Sequence, residues 1–549
     1  MSALLLSWGI LAAWLIYPLW VVLRQAFIVD GAVSGVFLRA AVTTPTVLGA
    51  AVASVNTAII VTLISLAIGF ATALFLARRG FPGVGVIEVA LLLPLILPPF
   101  VGALGVKALF GRFGTLNILL TDLGVVGFPI PFFPAGSSRG VIFLQVIHAV
   151  PLVLLYARAA LQSVPQSLID AAQTSGATWR QSLRHVVLPL CWPALASAGA
   201  IIFVGSMTDI GTPLLFEYRE CLAVFLFNLL NESQENPVGY ALIVLLTIFC
   251  AAVFFLVKLH GERLPVESSA RAGGAPARVP ARSVLDWFGV GGVVAIAVVG
   301  ALPHLALLLT ALSDRWIMSA LPTSWTLHHF VEVFRHPLTA RSLITSVGLS
   351  LVSTIVITLL GFAIAYLQVR SRLPTTRWLE GVALVPLAVP GIVFAFGYLA
   401  AFSGTPLDPR RNPLPLLLAA YTIRRLPPMV RSAMNGLQSA NRQLEEAALV
   451  CGATPRQVLW HVVAPLMARY LLASALIAFA FNILEVSDSL LLALEERFYP
   501  VSKAIYALVG RPDGVELAAA LGIVVSCCLG AAFAAAFRVL PKVGGRIVL

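Results

Sequence analysis

Apolar runs long enough to cross a bilayer fill most of this chain, and short polar stretches punctuate them. A spanning helix needs about 20 predominantly apolar residues. By that measure the first half predicts helices near residues 4–27, 51–77, 85–110, 140–162, 190–216 and 238–258. The second half predicts them near 284–312, 342–369, 379–402, 414–435, 466–493 and 516–538. Between the halves, Gly261 to Ser283 is rich in Pro, Gly, Ala and Arg. That composition resists packing and predicts an exposed linker. The expected organisation is a first half at 1–260, a cytoplasmic linker at 261–283 and a second half at 284–549. Leu4 to Phe27 lacks a basic leader and a small-residue cleavage site, so it reads as a retained first helix.

Composition fits this pattern. The 549 residues are 59% hydrophobic and 11% charged, with a mean hydropathy of +0.96. Soluble chains carry about 25% charge, so the fold class is an all-α polytopic membrane protein with membrane lipid around it. The net charge of +12 does not imply a nucleic-acid partner, because the basic residues lie between apolar runs rather than in one patch. They follow the positive-inside bias of cytoplasmic loops. The six cysteines include no Cys-x-x-Cys pair and read as small apolar fillers. The eight histidines show no metal-ligand spacing, and no catalytic constellation is present.

One polar stretch occurs twice. Asp170-Ala171-Ala172 with Gly176 and Leu188-Pro189 recurs as Glu446-Ala447-Ala448 with Gly452 and Ala464-Pro465, 276 positions on. Leu161-Gln162-Ser163 and Leu437-Gln438-Ser439 share that offset. Pro94-Leu95-Ile96-Leu97-Pro98 resembles Pro386-Leu387-Ala388-Val389-Pro390 at offset 292, the difference of 16 being a longer loop around Gly111 to Arg139. Six helices per half is an even number, so the repeats are parallel and both polar stretches face one compartment. With the N-terminus inside, the larger share of the 36 Lys and Arg falls on the side of the polar stretches. That places the stretches and both termini in the cytoplasm.

Each polar stretch, 164–190 and 440–466, predicts a helix–turn–helix on the membrane surface. The acid opens a short helix in its first turn, where the dipole favours it, and two alanines favour helix. Gly176 or Gly452 then turns the chain through positive φ. Thr178 and Thr454 cap a second helix, with Pro455 at its first position. Pro189 and Pro465 are expected to end the unit before a spanning helix begins.

These residues resemble the EAA loop of binding-protein-dependent ABC-importer permeases: acid-Ala-Ala, three residues, Gly, then a Leu-Pro-like end. The first copy departs by carrying Asp for Glu, and the second by ending Val-Ala-Pro. Two fused halves resemble the subgroup of ferric-iron, thiamine and 2-aminoethylphosphonate permeases. The resemblance implies the type I ABC-importer permease fold and a bacterial inner-membrane location. Each loop would dock in a cleft on one of two copies of an ATPase subunit. A periplasmic or lipid-anchored binding protein would deliver substrate. ATP and Mg would be used by the partner ATPase, since this chain has no Gly-x-x-x-x-Gly-Lys-Ser/Thr loop and is expected to bind no cofactor and to be no enzyme itself. Ferric iron is the first expectation for cargo, with 2-aminoethylphosphonate and thiamine behind it. A gradient-driven twelve-helix secondary transporter is the competing class, and a channel would not need two such loops.

Charge inside a membrane is costly and points to function. Asp209 and Glu485 are again 276 apart, each in the helix after a polar stretch, and Asp488 shares a face with Glu485. Two readings stand: an anionic belt along a translocation pathway, or carboxylates paired with Arg or capping backbone. Pro94, Pro98, Pro99, Pro386 and Pro390 would kink or break the third helix of each half.

Overall fold

Proline and glycine set where the helices of this computed structural model break and touch. The structure describes residues 2–29, 31–232, 237–261, 278–316, 318–371, 374–539, 542–543 and 546–547. Among them, ten helices are long and apolar enough to cross a membrane, or eleven if the bent pair Thr375–Leu387 and Gly391–Phe402 counts as one span. Leu414–Ser439 adds a further 26-residue helix in the expected place. Residues 262–277 of the expected linker lie outside the described residues. Its end is not a free tether: Val279–Pro280 pairs in parallel with Arg79–Gly80, and Arg278 reaches Glu88 at 2.5 Å. Ser283 and Asp286 form a capping box, and Asp286 also binds Arg79 at 2.8 Å.

Most of the long helices repeat at fixed offsets. Pro45–Arg78 matches Pro337–Arg370, and Pro99–Phe110 matches Gly391–Phe402, both at offset 292. Ser138–Ser163 matches Leu414–Ser439 at 276. Close crossings repeat as well. A Cβ on Gly69 would lie 2.5 Å from Val153, and one on Gly361 would lie 2.6 Å from Met429. Small residues let helices approach where lipid supplies no hydrophobic drive between them. The longer loop of the first half carries a helix of its own, Thr115–Asp122. Buried Asn117 fixes it, donating to Gly111 and Ile130 carbonyls and accepting from the Ile130 N–H.

The compact units do not coincide with the halves. One comprises Met1–Ala41, Leu229–Thr247 and His328–Leu549; the other comprises Val42–Asn228 and Ile248–Leu327. The first helix of each half thus packs with the opposite half, across the boundary expected at the linker. In one unit Pro18 lies against Gly397, and the Tyr398 hydroxyl donates to the Trp14 carbonyl at 2.8 Å. In the other, a Cβ on Gly105 would lie 2.3 Å from the Pro303 carbonyl oxygen. Gly105 and Gly397 are themselves 292 apart. A glycine on each broken helix therefore admits a proline-bearing helix from the other half.

Gly105→Ala is expected to destabilise its unit by about 1–3 kcal/mol, because backbone rather than a flexible side chain must move. Gly49→Ala, in the interior of Pro45–Arg78 with open space around it, is expected to stabilise by about 0.5–1 kcal/mol. Thermal unfolding in detergent separates the two, and equal effects would refute the close-packing account.

Candidate functional site

The duplicated stretch folds as two short helices joined by a glycine turn. Gln166–Thr174 and Arg442–Val450 form the first helix of each copy. Both begin earlier than expected, after Pro165 and after Asn441, whose side chain accepts from the Gln443 N–H at 3.0 Å. Asp170 and Glu446 are thus fifth in nine-residue helices, not in the first turn. The polar residues ahead of them read as loop in sequence but are helical. Asp170 accepts from Gln166 at 2.9 Å, and Glu446 pairs with Arg442 at 3.2 Å. Both acids, with Ala171 and Ala447, are exposed, while Ala172 and Ala448 are half-buried.

Each first helix ends in a Schellman motif. The Ala177 N–H bonds to the Ala172 carbonyl and the Gly176 N–H to that of Gln173; Ala453 and Gly452 do the same with Ala448 and Leu449. Gly176 and Gly452 have φ of +87° and +88°, and a Cβ at either would meet nothing within 4 Å. The backbone angle alone requires glycine. Thr178 with Gln181, and Thr454 with Gln457, then form capping boxes.

Pro189 and Pro465 do not end these units. Leu183–Val187 and Leu459–Val463 are π turns, with the Leu188 N–H bonded to the Leu183 carbonyl and the Ala464 N–H to that of Leu459. A proline ring clashes with the carbonyl four residues back, and a wider turn just ahead of it relieves the clash. The same turn, Ala12–Ile16, precedes Pro18. The surface helix therefore runs into the spanning helix, giving continuous rods of 30 residues at Trp179–Thr208 and 29 at Pro455–Ile483.

An arginine anchors each loop, a role missed in sequence. The Arg78 guanidinium stacks 3.6 Å from the Trp179 ring centroid. Arg370 binds Glu445 at 2.6 Å and the Leu437 carbonyl at 3.2 Å, and its ion pair is largely buried. Arg78 and Arg370 close their helices 292 residues apart. That offset is visible in the sequence, but there the basic residues as a group signal only orientation. The outward faces of the loops stay apolar in part: Leu168, Leu444, Leu449 and Val450 are exposed.

Each rod leads to a break, where the sequence expected continuous helices at 190–216 and 466–493. Leu188–Thr208 stops at extended Asp209 before Gly211–Leu215, and Ala464–Ile483 stops before Ser487–Leu492. The second break is held by charge. Arg424 binds Glu485 and, at 3.0 Å, Asp488, while Arg425 reaches Glu485 at 3.2 Å and lies 5.0 Å from the Phe481 ring. Tyr421 bonds to Ser489, and Ser489 and Ser502 both donate to the Glu485 carbonyl. Glu485 and Asp488 are thus neutralised, as the pairing reading expected. In the first half, Gln145 donates to Asp209 at 2.9 Å and accepts from Ser206 at 2.6 Å, and the Thr212 N–H caps Asp209 at 3.3 Å. Among the described residues no basic side chain pairs with Asp209. Arg424 and Arg425 were the missed partners. The signal was two adjacent charges inside the apolar run that begins at Leu414.

Arg424→Gln is expected to cost about 3–5 kcal/mol, because it strands buried Asp488 and leaves Glu485 with Arg425 alone. Adding Asp488→Asn should recover part of that loss. Asp209→Asn, which keeps its hydrogen bond to an amide, should stay within about 1 kcal/mol of the parent. Unfolding measurements on the three variants read this directly; strict additivity of the first two changes would dissolve the network.

Comparison with known proteins agrees with this architecture. The family described as "binding-protein-dependent transport system inner membrane component" matches twice, over residues 65–265 and 357–538. A ferric transport system permease protein of Actinobacillus pleuropneumoniae is 25% identical over 435 residues, covering 77% of this chain and 62% of that protein. The chain thus spans somewhat less than two thirds of that relative's length. A molybdenum transport system permease protein of Mycobacterium bovis is 28% identical over 42% of this chain and 85% of its own length. A putative 2-aminoethylphosphonate transport system permease protein of Salmonella typhi is 26% identical over 42% of this chain and 85% of its own. With two family matches that together cover more than half of its residues, each containing one copy of the loop and the rod behind it, the chain belongs to the binding-protein-dependent transport system inner membrane components.

Proposed function

We propose that this chain is the translocating permease of an ATP-driven ABC importer, with the two glycine-turned loops as its contacts with the motor. The observation that carries the reading is the pair of loops themselves. Each presents an acid and at least one exposed leucine, is pinned by an arginine at its base, and continues without interruption into a spanning rod. A helix with an exposed apolar face suits a groove on another protein. Two copies of an ATPase subunit would each receive one loop, using ATP and Mg. A periplasmic or lipid-anchored binding protein would load the other side. This sets the loops and both termini in the cytoplasm of a bacterial cell, with the permease in the inner membrane.

The rods supply the mechanical step. At 1.5 Å per residue a 30-residue helix is about 45 Å long, so movement at the loop is delivered to the break at its far end. Asp209, Glu485 and Asp488 stand at those breaks and form the proposed pathway residues. In the second half Arg424 and Arg425 make an ionic latch whose pairs can be exchanged when the break shifts. In the first half Asp209 offers a carboxylate that no basic side chain pairs with among the described residues. Ferric iron is the favoured cargo, since the ferric relative aligns over 77% of this chain and the 2-aminoethylphosphonate relative over 42%.

Reconstitution with the ATPase and binding protein tests this. Gly452→Val puts a β-branched residue where φ is +88°, at a cost of about 1–2 kcal/mol. It is expected to cut ATP-dependent uptake at least tenfold while leaving membrane insertion intact. Asp209→Asn should cut uptake with ATPase association unchanged. Uptake that runs on a proton gradient without ATP would overturn the importer reading. Labelled ferric iron and 2-aminoethylphosphonate offered in parallel decide the cargo.

A further inference from the structure

The unit built from Val42–Asn228 and Ile248–Leu327 contains a groove of about 540 Å³ that no side chain fills. Its size lies in the range of about 300–1,000 Å³ typical of ligand sites. Its wall on Ser138–Ser163 is one stripe of that helix: Arg139, Ile142, Val146, Val150 and Pro151 recur at helical spacing. Ile64 and Ile68 face the stripe from Pro45–Arg78, and Ile296 and Val299 from Val284–Leu312. Ile64 and Val299 are 40% and 37% exposed, so the groove opens sideways. At its floor lie Leu91 and Pro94, at the break in the third helix.

Three observations identify the occupant. The lining is apolar apart from Arg139, which suits hydrocarbon and not a hydrated ion. From Arg139 to Pro151 the stripe spans about 18 Å at 1.5 Å per residue. That is close to one leaflet, half of a hydrocarbon core of about 30 Å. Arg139 sits at the end of the helix away from the Gln166–Thr174 loop, is exposed, and makes no ion pair among the described residues. A cation at one end of a leaflet-deep apolar groove is complementary to one kind of molecule.

We infer that this groove binds an anionic glycerophospholipid, with an acyl chain along the Arg139–Pro151 stripe and its phosphate on the Arg139 guanidinium. The chain would lie against the turn Leu93–Leu95. Two carbonyls of that turn are already held by side chains, that of Pro94 by His148 at 2.8 Å and that of Leu93, which also accepts from the Ile96 N–H, by His304 at 3.0 Å. A bound lipid thus supplies the remaining side of a helix break that protein contacts only in part.

The test uses the full chain, inserted in bilayers of equal phosphatidylglycerol and phosphatidylethanolamine, released in mild detergent and weighed by native mass spectrometry. The parent is expected to retain one lipid per chain, with phosphatidylglycerol favoured at least fivefold. Arg139→Gln should keep a lipid but lose the preference. Val146→Trp and, at the open edge, Val299→Trp should each lower retention at least tenfold; melting temperatures establish that at least one of them is folded. Retention unchanged in a folded tryptophan variant, no retained lipid in the parent, or a phosphatidylglycerol preference that survives Arg139→Gln would each overturn the inference.

Discussion

Inside hydrocarbon no water can satisfy a backbone group, so every break in a spanning helix must find partners within the protein. That constraint organises this structure. The third helix of each half breaks at paired prolines, and in the first half two histidines from neighbouring helices take carbonyls at the break. The rods break again at Asp209, whose carboxylate accepts from the Thr212 N–H, and before Ser487, where the Ser489 and Ser502 hydroxyls take the Glu485 carbonyl. The short helices that follow are capped in trans. Ser54 accepts from the Leu222 N–H and Ser346 from the Val501 N–H, both at 2.8 Å, and the two serines are 292 residues apart. A polar residue in this protein is best understood by asking which broken turn it serves.

The two halves answer the same constraint with different chemistry. Gln145 and His148 stand where the second half has Tyr421 and Arg424, and Thr212 stands where it has Asp488. One break is tied by neutral hydrogen bonds around a single acid, the other by two arginines against two acids. A buried ion network is geometrically exacting and contributes little net stability over an apolar packing. Its value lies in specifying one arrangement of the break. The backbone repeats, but the energetic landscape around the two breaks does not.

Much of this could be read beforehand, because it rests on local physics. Apolar length located the helices, the offset of 276 located both loops, and glycine and threonine gave the turn and the capping boxes. Helix starts were misplaced where polar residues such as Gln166 and Arg442 are helical for want of a stronger stop. The continuity through Pro189 and Pro465 was hidden, since a proline read alone says stop, and only the π turn ahead of it says otherwise. Arg424 and Arg425 could not be placed from sequence because their partners lie some 60 residues on. The exchange of first helices was least legible. Its only trace was the match of Gly105 with Gly397, and a glycine does not name what approaches it.

That exchange has a bearing on how the chain is made. Residues 4–27 leave the ribosome long before Gly391–Phe402, the segment on which Trp14 and Pro18 settle. During synthesis the first helix must wait in lipid, laterally free, until most of the second half has been inserted. Domains usually fold as units from the N-terminus, yet here neither unit can close until segments from both halves are in the bilayer. A covalent connection keeps the waiting partners at high effective concentration. Fusion of two repeats into one chain is in this sense a solution to an assembly problem, sparing the cell the search of two separate membrane proteins for one another.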